Sequence, residues 1–371
     1  MMRPGMRTRV TWLMAACLLA CGSDPGDGTG PSSDVPITVT REQGLAGFPA
    51  ALDSIRVNLR IPGMAAAIAQ DGQIVWARGF GQANAEAARA ATSTTPFHLA
   101  SLTKPFGSVI LMQLVEQGLV DLDDPASDYG VELSSSGTIS VRHLLTHTSE
   151  GTPGTAYRYS GNRYGHLDQV IQSASGRSFG SLLVEQILQP LGMVDTAPNP
   201  LQQSAFDLTG MDRGAFTERM ASGYELRGGS VVRLAHPDYF GVSAGLVASA
   251  EDMATFSLAI DEGRFLEAET WQQVFTPAVS NGGEDLPYAL GWFIHEHEGV
   301  TLQWHYGHWT TNSSLIVRVP EERLTFVVVA NTPQLSAAYG LGGDSDVLRS
   351  DVARLFVEHF VTGDEPLPGG M

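Results

Sequence analysis

The sequence predicts an α/β (α+β) fold, with one antiparallel β-sheet flanked by terminal helices and a mainly helical subdomain inserted at roughly residues 100–270. A hairpin pattern near the amino end and four strand-like runs near the carboxyl end predict the sheet. Helical patterns punctuated by Gly and Pro fill the interval between them. Strands from both ends can pair into one sheet, so we expect an active site in the cleft between that sheet and the inserted layer.

The first predicted elements are a helix and a hairpin. Residues 64–70 and 73–80 are apolar runs on either side of Asp71-Gly72, a dipeptide typical of a two-residue hairpin turn. Before them, residues 44–60 form an amphipathic helix pattern, with apolar side chains at helical spacing: Leu45, Phe48, Leu52, Ile55 and Leu59.

The carboxyl-terminal region predicts strands and then one helix. Residues 320–323, Pro-Glu-Glu-Arg, predict a turn between the last two strands. A final amphipathic helix is expected over residues 346–360. The four predicted strands cover residues 289–296, 301–306, 313–319 and 324–330.

The amino-terminal residues have the pattern of an export signal. Residues 1–20 combine three arginines with an apolar run, and they end in Leu-Leu-Ala before Cys21, which resembles a bacterial lipobox with Cys21 as the lipidated residue. The alternative is an ordinary signal peptide cut near Ala20. Residues 21–40 are rich in Gly, Ser, Asp and Pro and predict a flexible tether. We therefore expect an exported lipoprotein, periplasmic or cell-surface, held to the membrane by its lipid only, with a folded domain at 41–362 and a tail at 363–371.

Composition excludes several classes of partner. The chain has 371 residues, is 43% hydrophobic and has a formal net charge of −18, so a sizeable core is expected. An acidic surface repels nucleic acid and anionic membranes. Both cysteines, Cys17 and Cys21, lie in the leader region, so the folded domain has no internal disulfide.

Ser101 and Lys104 carry the strongest chemical pattern. They stand three residues apart at the start of a helical run, which places the hydroxyl and the amine on one face. A desolvated lysine can serve as the base that a serine nucleophile needs. The alternative is a helix-capping serine beside a solvated lysine. Lys104 is the chain's one lysine against twenty-one arginines, and arginine cannot take this role because it does not deprotonate in proteins.

Several segments resemble the class C β-lactamases and their esterase and DD-peptidase relatives in the penicillin-binding protein family. The resemblance covers about residues 44–360, rests on residues 95–106, 114–118, 122–125 and 141–149, and implies a β-lactamase/transpeptidase-like fold. It implies that Ser101 is the nucleophile and Lys104 its proton-handling partner. Tyr159 matches the family's Tyr-x-Asn motif as a proton shuttle, but Gly161 stands where the Asn is usual, so the amide is missing or supplied by Asn162.

The third motif of that family is matched by His305-Tyr306-Gly307, the His-x-Gly variant. The resemblance implies that His305 lines the cleft and that Gly307 lets the strand approach the substrate. The backbone N–H groups of Ser101 and His308 would hold the oxyanion. The alternatives are that Tyr159 is a core residue and that these histidines belong to a surface strand.

The reaction implied is acyl transfer to Ser101 from a small-molecule ester, peptide or β-lactam-like substrate, without a metal or organic cofactor. A neutral imidazole at His305 in place of lysine favours an esterase or D-amino-acid peptidase over an efficient β-lactamase. Two other classes stay open. One is a catalytically silent cell-surface binding or regulatory protein, motivated by Gly161. The other is a metallohydrolase, with metal on the histidine pair His143 and His147 or on the cluster His295, His297, His305 and His308.

Overall fold

The structure is a computed structural model that describes residues 41–341 and 345–363. The predicted signal peptide, Cys21, the tether and the tail beyond Gly363 lie outside the described residues. In the described part of the chain the strands are, in chain order, β1 Gly63–Gln70, β2 Gln73–Asn84, β3 Arg89–Ala90, β4 Phe97–His98, β5 Ala197–Pro198, β6 Gly223–Arg227, β7 Ser230–Leu234, β8 Leu246–Ala248, β9 Phe293–His297, β10 Val300–Trp309, β11 Asn312–Val319 and β12 Leu324–Ala330.

The helices are mostly short. The α-helices are α1 Arg41–Leu45, α2 Phe48–Asn58, α3 Lys104–Glu116, α4 Val141–Leu145, α5 Gly161–Gly165, α6 Leu167–Ser175, α7 Phe179–Leu183, α8 Gln189–Leu191, α9 Gln203–Phe206, α10 Arg213–Arg219, α11 Ala250–Asp261, α12 Ala268–Val274, α13 Gln334–Ala337 and α14 Asp351–Val357. Single 3₁₀ turns cover Ala100–Thr103, Ala126–Tyr129, Asp207–Thr209, Pro320–Glu322 and Val347–Arg349, and π turns cover Val184–Leu188 and Glu358–Thr362. None of these helices has the length and apolar character needed to cross a bilayer.

Seven strands form the central sheet in the order β3-β2-β1-β12-β11-β10-β9. The expected pairing of both chain ends is confirmed, because β1 lies antiparallel to β12 from Met64↔Ala330 to Gln70↔Leu324. The predicted hairpin is also confirmed, and its turn residues Asp71 and Gly72 have φ of 50° and 81°. Positive φ at both positions is what a type I′ turn requires.

Each face of the sheet packs on a different layer. On β1, alternate residues point to opposite faces: Ala65, Ala67 and Ala69 pack toward the inserted helices, whereas Met64 and Ile68 pack toward the terminal helices. The terminal-helix side contains α2 and α14, and the opposite side contains α3 and α11. Because both faces are covered, the strand is an apolar run without polar alternation.

Three predicted elements differ at their ends. The helix predicted over 44–60 is broken between α1 and α2 at Gly47, which has φ 77°. The strand predicted from 289 begins at Phe293, because Gly291 has φ 96° and a Cβ there would lie 2.6 Å from the Ser108 side chain. The last helix begins at Asp351, because Ser350 has an extended backbone.

The inserted region is mainly helical but also contains strands that the sequence did not predict. β4, β8 and β5 form a three-stranded sheet, and β6 pairs with β7. β4 and β5 each have two residues, too few for periodicity to indicate them. The β4–β8 pairing matters for the site, because β4 leads directly into the turn that contains Ser101.

Candidate active site

Ser101 lies in a tight turn between β4 and α3. Ala100 has φ 51°, an uncommon value for a residue with a side chain. The turn is held by its own hydrogen bonds: the Ala100 N–H donates to His98 Nδ1 at 3.1 Å, and the Thr103 hydroxyl donates to the Ala100 carbonyl at 2.7 Å. Thr103 also accepts from the Leu246 N–H of β8 at 3.0 Å. Backbone strain held by surrounding structure is typical of functional sites, and here it sets the direction of the Ser101 side chain.

Lys104 is fully buried beside Ser101. Its Nζ donates to Ser101 Oγ at 3.0 Å and to the Ser243 carbonyl oxygen at 2.8 Å. The same Nζ lies 5.0 Å and 5.2 Å from the ring centres of Tyr159 and Tyr164. Burial lowers the pKa of Lys104 from 10.5 to about 7. Near neutral pH a large fraction of the amine is therefore unprotonated and able to accept a proton.

The Tyr159 side chain lies next to Ser101 and Lys104. Its oxygen is enclosed and has no hydrogen-bond partner of good geometry within the described residues. Burial raises the pKa of Tyr159 well above 10, and a weaker interaction with the Ser101 side chain opposes that rise. Tyr159 is therefore a neutral phenol beside the Ser101 side chain, with its ring near Lys104, rather than a fixed hydrogen-bond partner of either residue.

His147 holds the segment that contains Tyr159, and this arrangement was not predicted. The His147 carbonyl accepts from the Arg158 N–H at 2.8 Å, and its Nδ1 accepts from the Ser160 N–H at 3.2 Å. Both neighbours of Tyr159 are thus bound to one residue, whose ring centre lies 4.3 Å from that of Tyr159. Burial, with Lys104 and His305 nearby, holds the pKa of His147 well below 6.5, which keeps Nδ1 free to accept.

The two histidine sets considered as alternative metal sites are not assembled in the described part of the chain. His143 lies on α4 and its Nδ1 accepts from the Ser140 N–H at 3.0 Å, while His147 is bound to the Tyr159 segment. His295 and His297 lie on β9, apart from the buried His305. Within residues 41–341 and 345–363, no three His, Cys, Asp or Glu side chains are placed to hold a metal ion.

His305 was predicted to line the cleft, but the structure does not place it in the cavity. Its side chain is fully buried, with Nδ1 paired to the Tyr306 carbonyl at 2.7 Å and Nε2 to the Tyr288 hydroxyl at 2.9 Å. The carbonyl can only accept, so Nδ1 carries the proton and Nε2 accepts from Tyr288. Burial and the neighbouring Lys104 hold the pKa of His305 well below 6.5. The imidazole therefore lies behind the reacting groups and has no direct path to a substrate in the cavity.

Gly307 and His308 lie where β10 meets the Ser101 turn. A Cβ on Gly307 would lie 1.9 Å from the Leu99 carbonyl oxygen, to which the Ser314 hydroxyl donates at 2.7 Å. Only glycine permits this close approach of the strand. His308 follows at the rim of the cavity that also contains Ser101.

Gly161, which replaces the usual Asn of the Tyr-x-Asn motif, leaves open space beside it. Gly161 begins α5, and a Cβ added there would meet nothing within 4 Å. Asn162 lines the cavity but does not take the place of the missing amide at Lys104, whose bonds go to Ser101 and Ser243.

Of the predicted site residues, Ser101, Asn162 and His308 line a cavity of about 450 Å³, whereas Lys104, Tyr159, His305 and Gly307 are not part of its lining. A larger cavity of about 890 Å³, between α10 and the β6–β7 hairpin, includes none of the predicted site residues. Sequence reasoning did not place Ser243, Tyr239 or Trp309 at the site, because nothing local connects them with Ser101. The smaller cavity is lined by Ser101, Gly161, Asn162, Gly165, His166, Tyr239, Ser243, Ala244, His308 and Trp309.

The chain is similar in sequence to known proteins. The chain is 28% identical over 330 residues to a D-aminopeptidase of Gluconobacter oxydans, covering 79% of this chain and 60% of that protein. It is 24% identical over 306 residues to a penicillin-binding protein of Bacillus subtilis, covering 71% of this chain and 66% of that protein. The chain thus spans less than two thirds of either relative.

Solved structures share the fold. A penicillin-binding protein homologue from Pyrococcus abyssi, described as octameric, superposes with a TM-score of 0.69 at 24% identity, over 82% of this chain and 78% of that one. A penicillin-binding protein from Bacillus halodurans gives 0.65 at 22% identity, over 78% and 98%. The Beta-lactamase family model matches residues 45–344, most of the sequence, and the chain therefore belongs to the Beta-lactamase family.

Proposed function

We propose that this protein is a serine hydrolase that cleaves an ester or amide through an acyl-enzyme on Ser101. One observation carries the proposal: a buried amine, Lys104, with a pKa of about 7 lies 3.0 Å from the Ser101 hydroxyl. A general base is most effective when its pKa lies near the operating pH, and such catalysis typically contributes about 10²–10⁴-fold.

The proposed reaction has two steps. Unprotonated Lys104 takes the Ser101 proton as Oγ attacks the carbonyl carbon, and the N–H groups of Ser101 and His308 hold the oxyanion. Collapse of that intermediate breaks the bond to the leaving group, which takes up the proton from Lys104 by way of the Tyr159 hydroxyl. Water then attacks the acyl-enzyme with the same groups in reverse, which releases the acid and restores Ser101.

Two features support an esterase or D-amino-acid peptidase over an efficient β-lactamase. The His305 imidazole is buried, and its lowered pKa leaves no cation at that position to hold a substrate carboxylate. D-aminopeptidases of Gluconobacter oxydans and Brucella canis are relatives at 28% and 25% identity. The second candidate is a silent binding or regulatory protein, which the empty space at Gly161 favours.

Labelling of the nucleophile tests the proposal. Intact-mass spectrometry after treatment with a fluorophosphonate should show one adduct, on the Ser101 peptide, and Ser101→Ala should lose both the adduct and ester hydrolysis. Ser54→Ala, which changes an exposed serine on α2, is the matched control and should label as wild type does. Equal labelling of Ser101→Ala would overturn the proposal, and wild-type protein that neither labels nor hydrolyses any ester would favour the silent alternative.

We also propose that the protein is exported and anchored through a lipid on Cys21. The support is the leader pattern of residues 1–20 followed by Cys21 and a Gly- and Ser-rich tether.

A further inference from the structure

The lining of the cavity around Ser101 consists of hydroxyl, amide, imidazole, aromatic and very small side chains. None of the ten lining residues is Lys, Arg, Asp or Glu. An ionised group on a substrate that enters this space would lose part of its hydration without gaining a charged partner, which is costly for either sign of charge.

Charged residues next to the lining in sequence are engaged elsewhere. The Arg163 guanidinium, beside Asn162, donates to the Ser149 and Ser134 carbonyl oxygens at 2.9 Å and 3.0 Å. Asp238, beside Tyr239, accepts from Gln202 at 2.6 Å. Asp168, two residues after His166, accepts from the Val242 N–H at 3.0 Å and lines a different cavity. Neither the Arg163 guanidinium group nor the carboxylates of Asp238 and Asp168 line the cavity at Ser101.

Two of the ionisable groups at the cavity provide little fixed charge. Lys104 is buried behind Ser101, and its lowered pKa leaves it partly neutral near pH 7. Partial burial lowers the pKa of His308. The overall net charge of −18 further disfavours the approach of anions.

One wall offers an apolar contact. The Tyr239 and Trp309 rings line the cavity with their centres 6.1 Å apart and their planes at 56°. The Tyr239 hydroxyl is engaged by Ser243 Oγ at 3.0 Å, so the aromatic ring is the part of Tyr239 left for a substrate. Aromatic surfaces of this kind bind alkyl or aryl groups well.

We infer that the substrate is an ester or amide whose acyl and leaving groups carry no charge near the scissile bond, with an apolar group against Tyr239 and Trp309. The inference rests on the proposed function and narrows it. Peptides cleaved at a free end carry an ammonium or a carboxylate close to the scissile bond, and penicillins carry a carboxylate. Neither charge has a partner in this cavity.

The preference for an uncharged substrate can be tested with three p-nitrophenyl esters of substituted butanoic acids. Their acyl chains end in a tert-butyl, a trimethylammonium or a sulfonate group. The three groups have similar size and differ in charge. Each kcat/KM of the full-length chain is divided by the rate at which hydroxide hydrolyses the same ester. We expect the tert-butyl ester to be favoured over both charged esters by about tenfold or more. Equal values, or a preference for either charged ester, would overturn the inference.

A second test changes the charge of the protein instead of the charge of the substrate, by substituting a residue that lines the cavity. His166→Arg should raise the sulfonate-to-tert-butyl ratio of kcat/KM by about tenfold, and His166→Glu should do the same for the trimethylammonium ester. Gln172→Arg, an exposed residue on α6 outside this cavity, is the matched control and should leave the ratios unchanged. The failures are distinguishable: loss of Ser101 labelling refutes the proposed function, whereas Ser101-dependent hydrolysis without charge preference refutes this inference alone.

Discussion

At the scale of single residues, the proposed chemistry rests on a buried amine that has no counter-ion among the described residues. Lys104 has a hydroxyl and a carbonyl, rather than a carboxylate, as hydrogen-bond partners in the described part of the chain. A carboxylate would stabilise the ammonium form and keep its pKa high, which would remove the base. The lowered pKa near 7 corresponds to a penalty of roughly 5 kcal/mol against the charged form. The site therefore favours the state of the lysine that the reaction needs.

The lowered pKa of Lys104 predicts how the rate of the proposed reaction depends on pH. A base must be unprotonated to accept the Ser101 proton, so kcat/KM for a neutral ester should rise with pH through about 7 and then level off. Lys104→Arg should lose activity by about a hundredfold or more and should lose the rising limb, because arginine stays protonated.

The titrating group can be identified directly. Since Lys104 is the one lysine in the chain, isotope-labelled lysine gives a single side-chain NMR signal, which should titrate near the kinetic pKa. A signal that titrates near 10 would contradict the assignment, and so would a Lys104→Arg variant with near wild-type activity.

Sequence reasoning could place Ser101 and Lys104 because their relation is local: three residues apart, they share one face of a helical turn. It could not place Tyr239 or Trp309, which reach the cavity from loops far along the chain. For His305 the motif gave the correct strand, but its side chain pairs with Tyr288, a long-range contact that a motif does not show.

At the scale of elements, two short segments determine the geometry of the reacting groups. The turn Ala100–Thr103 directs Ser101, and residues 158–160 carry Tyr159. The second segment has no regular structure of its own, and His147 binds it at both ends. His147 also has φ 57°, a conformation that asparagine tolerates better than most residues. We therefore expect position 147 to affect the proposed catalysis through Tyr159 rather than by touching a substrate.

Two variants at position 147 test this role. His147→Ala removes the acceptor for the Ser160 N–H and should lower kcat by about tenfold or more, with a smaller effect on KM, because Tyr159 acts in the chemical steps. His147→Asn retains a short polar side chain and a tolerated backbone, so it should recover much of that loss. His143→Ala is the matched control, since it removes a similar imidazole acceptor from α4, and its kcat should stay near wild type. If His143→Ala and His147→Ala lower kcat equally, the role of His147 is general stability alone.

The elements themselves were predictable where their pattern is long. The hairpin and the last strand, β12, match the predicted ranges closely because each is a continuous apolar run bounded by turn residues. The two-residue strands β4 and β5 could not be predicted, since only pairing with β8 defines them. The break at Gly47 was not predicted for a different reason: the apolar spacing continues across it, whereas the backbone leaves the helical conformation there, at φ 77°.

At the scale of the whole molecule, the sheet joins both ends of the described domain. The first strand of the hairpin pairs with the last strand, so the inserted residues between them begin and end beside one another. The Ser101 turn belongs to the inserted layer and Gly307 belongs to the sheet, and they meet where a Cβ would not fit. The position of the cleft is thus a consequence of chain order.

The proposed lipid anchor on Cys21 can be tested on the whole protein. If Cys21 is lipidated, the mature protein should partition into the detergent phase, because each buried methylene of an acyl chain contributes about 0.8 kcal/mol to membrane binding. Cys21→Ala should be soluble or remain unprocessed. Cys17→Ala is the matched control: it changes the other cysteine, inside the segment expected to be removed, and should leave partitioning unchanged. Mass spectrometry of the amino-terminal peptide decides between a lipidated Cys21 and an ordinary signal peptide cut near Ala20. An unmodified Cys21, or a mature terminus at another residue, would refute the lipid anchor and favour the ordinary signal peptide.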